Sequence, residues 1–295
     1  MMDLSNLRVL RPHPNVLAFY DGRVAGQRFA AGPNWVDDGA LSLGIASYAL
    51  FDGDEALVYD THISLDHAEF VRQTLEEMGV SQITVVLSHW HLDHVAGTQA
   101  FADCTVIANH RTAAHLAHHR AAIEAGSHHG LPAIRPLIEP THLFSGRAHL
   151  HVGSLHIDLI EAHIHSDDAT VVWLAPQGLL LAGDTLEDCV TYVGEPEQFA
   201  AHLTDLDRLA ALKPTRILPN HGDPGRIAAG GYGPDLIAAT TDYIGKLMAA
   251  RSNPALCAAP LADWLAPQLS AGTLTWFQPY EAVHARNLQQ TLALP

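Results

Sequence analysis

The sequence predicts an α/β fold with a helical C-terminal part, on three observations. Short β-branched and apolar runs recur along most of the chain, separated by Gly, Asp and Pro turns. One stretch of helical period lies between two such runs, giving the order strand, helix, strand. From Pro234 onward the pattern is mostly helical.

The elements follow in order. VLAFYDG and SLGIASYALFDGD, between Asn15 and Asp52, together with EALVYD (Glu55–Asp60), read as a meander of strands. Leu65, Phe70, Leu75 and Met78 fall at near-helical spacing, with Ser64 as N-cap and Gly79 as C-cap. ITVVLS (Ile83–Ser88) is the next strand, and histidines crowd its C-terminal end. CTVIA (Cys104–Ala108) is a further strand, and residues 110–126 read as a helix before a Pro-punctuated stretch to Pro140. HLHVG, LHIDLIEAH, TVVWLAP and GLLLAGD then resume the strands, with Gly178 at a hairpin turn. Glu197 to Leu212 reads as helix, and TRILPNHGD as one more strand feeding a loop. Helical pattern then runs from Pro234 to near Ala271, and a closing segment from Thr275 completes the chain.

With 295 residues, 48% hydrophobic and 16% charged, the chain has the material for a sizeable core. No tandem repeat, low-complexity tract or linker interrupts it, so one domain over residues 1–295 is expected. A formal charge of −16 argues against a nucleic-acid partner, which needs a basic surface, and against an anionic membrane surface. A small-molecule substrate is expected instead. Cys104, Cys189 and Cys257 are too scattered for a disulfide framework or a thiolate zinc site. The N-terminal residues carry no secretory pattern, so a cytoplasmic location is expected.

The chemistry lies in the 21 histidines. In His89-Trp90-His91-Leu92-Asp93-His94, alternate residues of an extended segment face one way, so His89 and His91 can hold one cation together. Past the turn, Asp93 and His94 become available to a second. H-x-H-x-D-H after a strand resembles the signature of the metallo-β-lactamase superfamily. The further motifs of that family occur in order: His165-Ser166-Asp167-Asp168 before a strand, Asp184 at the end of LLLAGD, and His221 in ILPNHGD. The resemblance covers roughly residues 15 to 225, leaving 226–295 as a mostly helical extension.

The resemblance implies a four-layer αββα sandwich around a dinuclear metal site. Its ligands would be His89, His91 and His165 for one cation, and Asp93, His94 and His221 for the other, with Asp184 bridging. Imidazole and carboxylate suit zinc first, with iron or manganese as alternatives. The implied reaction is attack of a metal-activated hydroxide on an ester-type bond in a lactone, thioester or other small ester. Asp93 is the catalytic candidate, orienting the nucleophile and passing a proton to the leaving group. Asp184 stands where many β-lactamases of the family carry Cys or Ser, so the pattern is nearer the glyoxalase II and lactonase branches. β-Lactam hydrolysis and a mononuclear-iron persulfide dioxygenase are the alternatives.

His163 competes with His165, being two residues away on an extended segment; the following Ser-Asp favours His165. His110, His115, His118, His119, His128 and His129 are expected on a polar helix face and loop at the rim, with no carboxylate beside them. Tyr192, Tyr232, Trp276, Tyr280 and His284 are cleft candidates for which ordinary packing is the simpler expectation. Lys246, Arg251 and Arg286 are the only basic residues of the tail after residue 233, too few to suggest a glutathione site.

Overall fold

The computed structural model describes residues 2–295. The first half of the chain forms strands β1 (Arg8–His13), β2 (Val16–Asp21), β3 (Ile45–Asp52) and β4 (Glu55–Tyr59), helix α1 (Leu65–Glu77), strand β5 (Gln82–Val86), helix α2 (Leu92–Val95), strand β6 (Thr105–Asn109), helix α3 (His110–Glu124) and strand β7 (His142–Phe144). The second half adds strands β8 (Arg147–Val152), β9 (Leu155–Ile164), β10 (Ser166–Leu174) and β11 (Leu179–Gly183), helix α4 (Phe199–Ala211) and strand β12 (Arg216–Pro219). Helices α5 (Pro224–Ala228), α6 (Asp235–Ala250), α7 (Pro254–Ala258), α8 (Leu261–Trp264), α9 (Ala266–Ser270) and α10 (Tyr280–Leu292) finish the chain.

Strands β1 to β7 lie side by side in chain order in one seven-stranded sheet, and β12-β11-β10-β9-β8 make a five-stranded second one. Period-two alternation explains how the first sheet is buried on both faces. Val16, Ala18 and Tyr20 of β2, Tyr48 and Leu50 of β3, and Leu57 and Tyr59 of β4 belong to the same apolar cluster as Leu159, Val171 and Leu180 of the second sheet. Their sequence neighbours Leu17, Phe19, Ala49, Ala56 and Val58 belong to another, with Val71 and Leu75 of α1 and Leu116 and Ile123 of α3. The second sheet is covered on its far side by α4, which contacts β9 and α6. The result is a four-layer αββα sandwich with a helical C-terminal extension, the fold the motifs implied.

Ser64 caps α1 by accepting from the His67 N–H, and Gly79 follows the helix at φ +92°. Besides the short helices α2 and α5, strands β1 and β7 and helix α10 went unread in the sequence. Strand β1 lies before Asn15; its exposed edge alternates with half-buried residues and carries no strong apolar run. Strand β7 is only three residues long. Helix α10 occupies the closing segment, where His284, Asn287 and Thr291 are the buried positions beside Tyr280, so its inward face is polar and its period is masked. Among the described residues no helix is long and apolar enough to cross a membrane.

Candidate metal centre

The site sits where the two sheets open at one edge. Parallel strands β4 and β5 end side by side, and the chain leaving β5 carries Ser88 to His94 across that edge. His91 ends the extended stretch and precedes α2, whose single turn holds Asp93 and His94. From the other sheet, His165 is the lone residue between β9 and β10, held at φ +71°. Such a left-handed conformation is costly for a residue with a side chain and persists where the surroundings impose it. Gly183, the last residue of β11, has φ +56°, and a Cβ there would lie 2.8 Å from Tyr59 Oη. Only glycine brings Asp184 this close to the first sheet. His221 follows β12.

All seven residues expected as ligands converge. His89 Nε2 and His165 Nε2 lie 2.9 Å and 3.0 Å from His91 Nδ1. Asp93 Oδ2 lies 3.4 Å from His221 Nε2 and 3.6 Å from His94 Nε2. Asp184 Oδ2 stands between the two groups, 3.1 Å from His94 Nε2, 3.3 Å from His221 Nε2, 3.7 Å from His165 Nε2 and 3.8 Å from His89 Nε2. His163 faces elsewhere, its Nε2 2.7 Å from Glu195 Oε2.

These donors fit divalent cations on three counts. Donors about 2.0–2.1 Å from a tetrahedral cation stand roughly 3.3 Å from one another, close to the spacings here. Asp184 Oδ1 is buried without a hydrogen-bond partner, which is unusual for a carboxylate that has nothing else to bind. The outward ring nitrogens are already tethered: His94 Nδ1 to Asp60 Oδ2 at 2.8 Å, His221 Nδ1 to the Gly44 carbonyl at 2.7 Å, and His89 Nδ1 to Ser88 Oγ at 2.9 Å. Such outer hydrogen bonds fix each tautomer and leave the inner nitrogen as a lone pair.

The electrostatics differ across the site. Burial holds the His89, His91 and His165 imidazoles below their ordinary range, in the neutral form that binds metal. Burial would lower His94 and His221 too, but Asp184 and Asp93 beside them raise both well above it. Burial opposes ionisation of Asp184, yet His221 and His94 keep its carboxyl well below the usual range. The half of the site around Asp93 is thus built to hold positive charge, which a cation would supply in place of protons.

Around the centre lies a cleft of about 690 Å³. Trp35, Trp90, His128, His129, Tyr192 and Arg286 are among the residues that line it. Trp90 stacks on His115 and His119, so the second histidine group does form part of the rim. It has a carboxylate after all: His115 Nε2 is 2.7 Å from Asp167 Oδ1. Of the aromatic candidates, Tyr192 reaches the cleft, whereas Tyr232, Tyr280 and His284 are buried in packing. Cys189 is buried, and burial pushes its thiol up to about 12.

A sequence model described as the metallo-β-lactamase superfamily matches residues 42–221, more than half of the chain. The chain belongs to the metallo-β-lactamase superfamily. Solved members of that superfamily share the fold at low identity. DIM-1 metallo-β-lactamase exposed to ceftazidime superposes with a TM-score of 0.60 at 19% identity, over 83% of this chain and 98% of that one. A metallo-β-lactamase from Pontibacter korlensis gives 0.61 at 16% identity, over 81% and 99%. A curated relative, β-lactamase-like protein 2 homolog of Drosophila melanogaster, is 24% identical over 196 residues, 61% of this chain. The chain spans 59% of that relative's length.

Two residues of the site, Asp60 and Glu187, were not singled out by sequence. Asp60 accepts from Ser88 N at 2.7 Å, Ser88 Oγ at 2.6 Å and Asn220 Nδ2 at 2.6 Å, besides holding His94. Its place at the end of the strand parallel to β5 was the available signal. Glu187 is buried 3.7 Å from His165 Nδ1, and accepts from Tyr280 Oη at 3.0 Å. Arg286, named in the sequence only among the few basic residues of the tail, comes from α10 and lines the cleft.

Proposed function

We propose that this superfamily member is a metal-dependent hydrolase that cleaves a small ester-type bond, in a lactone, thioester or other ester. The supporting observation is the meeting of two donor groups on the shared Asp184 oxygen. His89, His91 and His165 would hold one divalent cation and Asp93, His94 and His221 the other, with zinc first for this donor set. Bound cations supply Lewis acidity and lower the pKa of water towards neutrality.

The chain's own groups do the remainder. Asp93 is the least buried of the donor carboxylates and borders the cleft, so it can orient the attacking water and carry a proton to the leaving oxygen or sulfur. Trp35 and Trp90 form an apolar wall that sheds water from a bound substrate. Arg286 is the only Arg or Lys among the residues lining the cleft, its guanidinium 5.0 Å from the Tyr192 ring centroid. It would favour a substrate with an anionic substituent away from the scissile bond.

β-Lactam hydrolysis is the second reading, supported by the structural neighbours, which are themselves metallo-β-lactamases. A panel of lactones, thioesters, simple esters and β-lactams, run with metal analysis, separates the two. Turnover confined to the ester-type substrates, with about two zinc ions at the centre, is the expected result. Turnover of β-lactams alone would replace it with the second reading. One iron ion, with oxygen uptake on a persulfide, would remove both.

A further inference from the structure

His163, left over from the centre, belongs to another cluster. It sits near the end of β9 with its Nε2 2.7 Å from Glu195 Oε2, on the segment leading to α4. His202 of α4 lies against both: one donor atom from each of the three residues falls within 4.8 Å of the others. The rings of His163 and His202 are 5.3 Å apart between centroids. His202 is fully buried, yet neither of its ring nitrogens has a hydrogen-bond partner.

That last fact decides what the cluster is. An imidazole always offers one N–H and one lone pair, or two N–H groups, and buried polar atoms are rarely left unsatisfied. His202 thus keeps a free nitrogen inside a group that already brings together a carboxylate and a second imidazole. Two histidines and a glutamate are a donor set that holds zinc with one position left for water. The half-exposed His163 and Glu195 leave an opening for that water. The backbone is anchored as well: the His163 N–H donates to Asp205 Oδ2 at 2.6 Å, one turn along α4 from His202. A second peripheral cluster, His115 with Asp167 and Asp168, lacks such a free group. His115 is paired with Asp167, and Asp168 accepts from Trp90 N and Ser166 Oγ.

We propose that His163, Glu195 and His202 form a third, mononuclear site for a divalent cation, zinc by preference, separate from the centre built on Asp184. Occupied, it ties the end of β9 to α4 and fixes the segment carrying Glu195, which forms part of the cleft wall.

The test is zinc content of the full chain after equilibration with zinc and removal of loosely held ion, read by mass spectrometry of the metal. The parent is compared with His202→Gln, Glu195→Gln and His163→Gln, and with Asp184→Ala. Each of the first three is expected to carry one zinc fewer than the parent, while Asp184→Ala keeps the ion they lose. Because the readout is a difference between parent and variant, it holds whatever the occupancy of the Asp184 centre. Circular dichroism establishes that each variant is folded; His163 and Glu195 are partly exposed, so their variants carry the test if His202→Gln unfolds. Equal zinc in the parent and in folded Glu195→Gln and His163→Gln overturns the proposal.

Discussion

At the scale of single residues, the centre depends on atoms that do two jobs. Asp184 Oδ2 is shared between the two donor groups, so Asp184→Ala is expected to abolish turnover and empty at least one of the two positions. Near-normal turnover with both cations bound would remove the bridging role. Asp60 holds the outer nitrogen of His94 and three other donors. Asp60→Ala should weaken metal affinity by about 10–100-fold, measured by competition with a chromogenic chelator, while leaving the ligands themselves intact. Unchanged affinity would mean that Asp60 supports the fold alone. Gly183 is constrained by its φ and by Tyr59; Gly183→Ala should lose about 1–3 kcal/mol in denaturant unfolding. The seven side chains that come together could be picked out in the sequence because each lies in a segment that follows a strand and is a histidine or aspartate in a family motif. Asp60 was not, since an aspartate at a strand end looks like any turn residue until the parallel neighbour is known.

At the scale of elements, local signals were strongest where backbone chemistry and burial agreed. Helix α1 shows it: a serine cap, a left-handed glycine after the last turn, and an apolar stripe facing the first sheet. Ser64→Ala should cost about 1 kcal/mol, seen as a lower melting temperature with metal content unchanged. A loss of bound metal in that variant would show that α1 positions the centre, not merely the sheet. Helix α10 is the contrary case, because its inward face is Tyr280, His284, Asn287 and Thr291. Tyr280, His284 and Asn287 meet polar partners from other elements, as Asn287 does in donating to the Thr191 carbonyl at 2.9 Å, and periodicity of apolar residues cannot reveal them. The same helix delivers Arg286 to the cleft. Arg286→Ala is expected to raise KM for anionic substrates by about tenfold or more with little change in kcat, the signature of lost uniform binding. An equal effect on uncharged esters would assign Arg286 to packing against Tyr192.

At the scale of the molecule, the fold was readable as a class from the alternation of strands and helices. The pairing of chain halves into separate sheets came only with the long-range contacts. Each half contributes to one sheet: β1 to β7 end at Phe144, and the second sheet begins at Arg147. Metal bound only by the closed sandwich stabilises it by mass action, so a chelator should lower the melting temperature by several degrees and zinc should restore it. A melting temperature indifferent to both would mean that the donors are held in place without help from a cation.

The boundary near residue 145 also divides the donors. His89, His91, Asp93 and His94 belong to the leading segment, and His165, Asp184 and His221 to the trailing one. Neither segment alone possesses a complete ligand set for the centre built on Asp184, so tight capture of an ion at that centre would be a late event in folding, delayed until the two sheets dock. Cleaved at that junction, the pieces should bind zinc at the Asp184 centre weakly apart and strongly when mixed, so that an ion lost on Asp184→Ala reports reassembly.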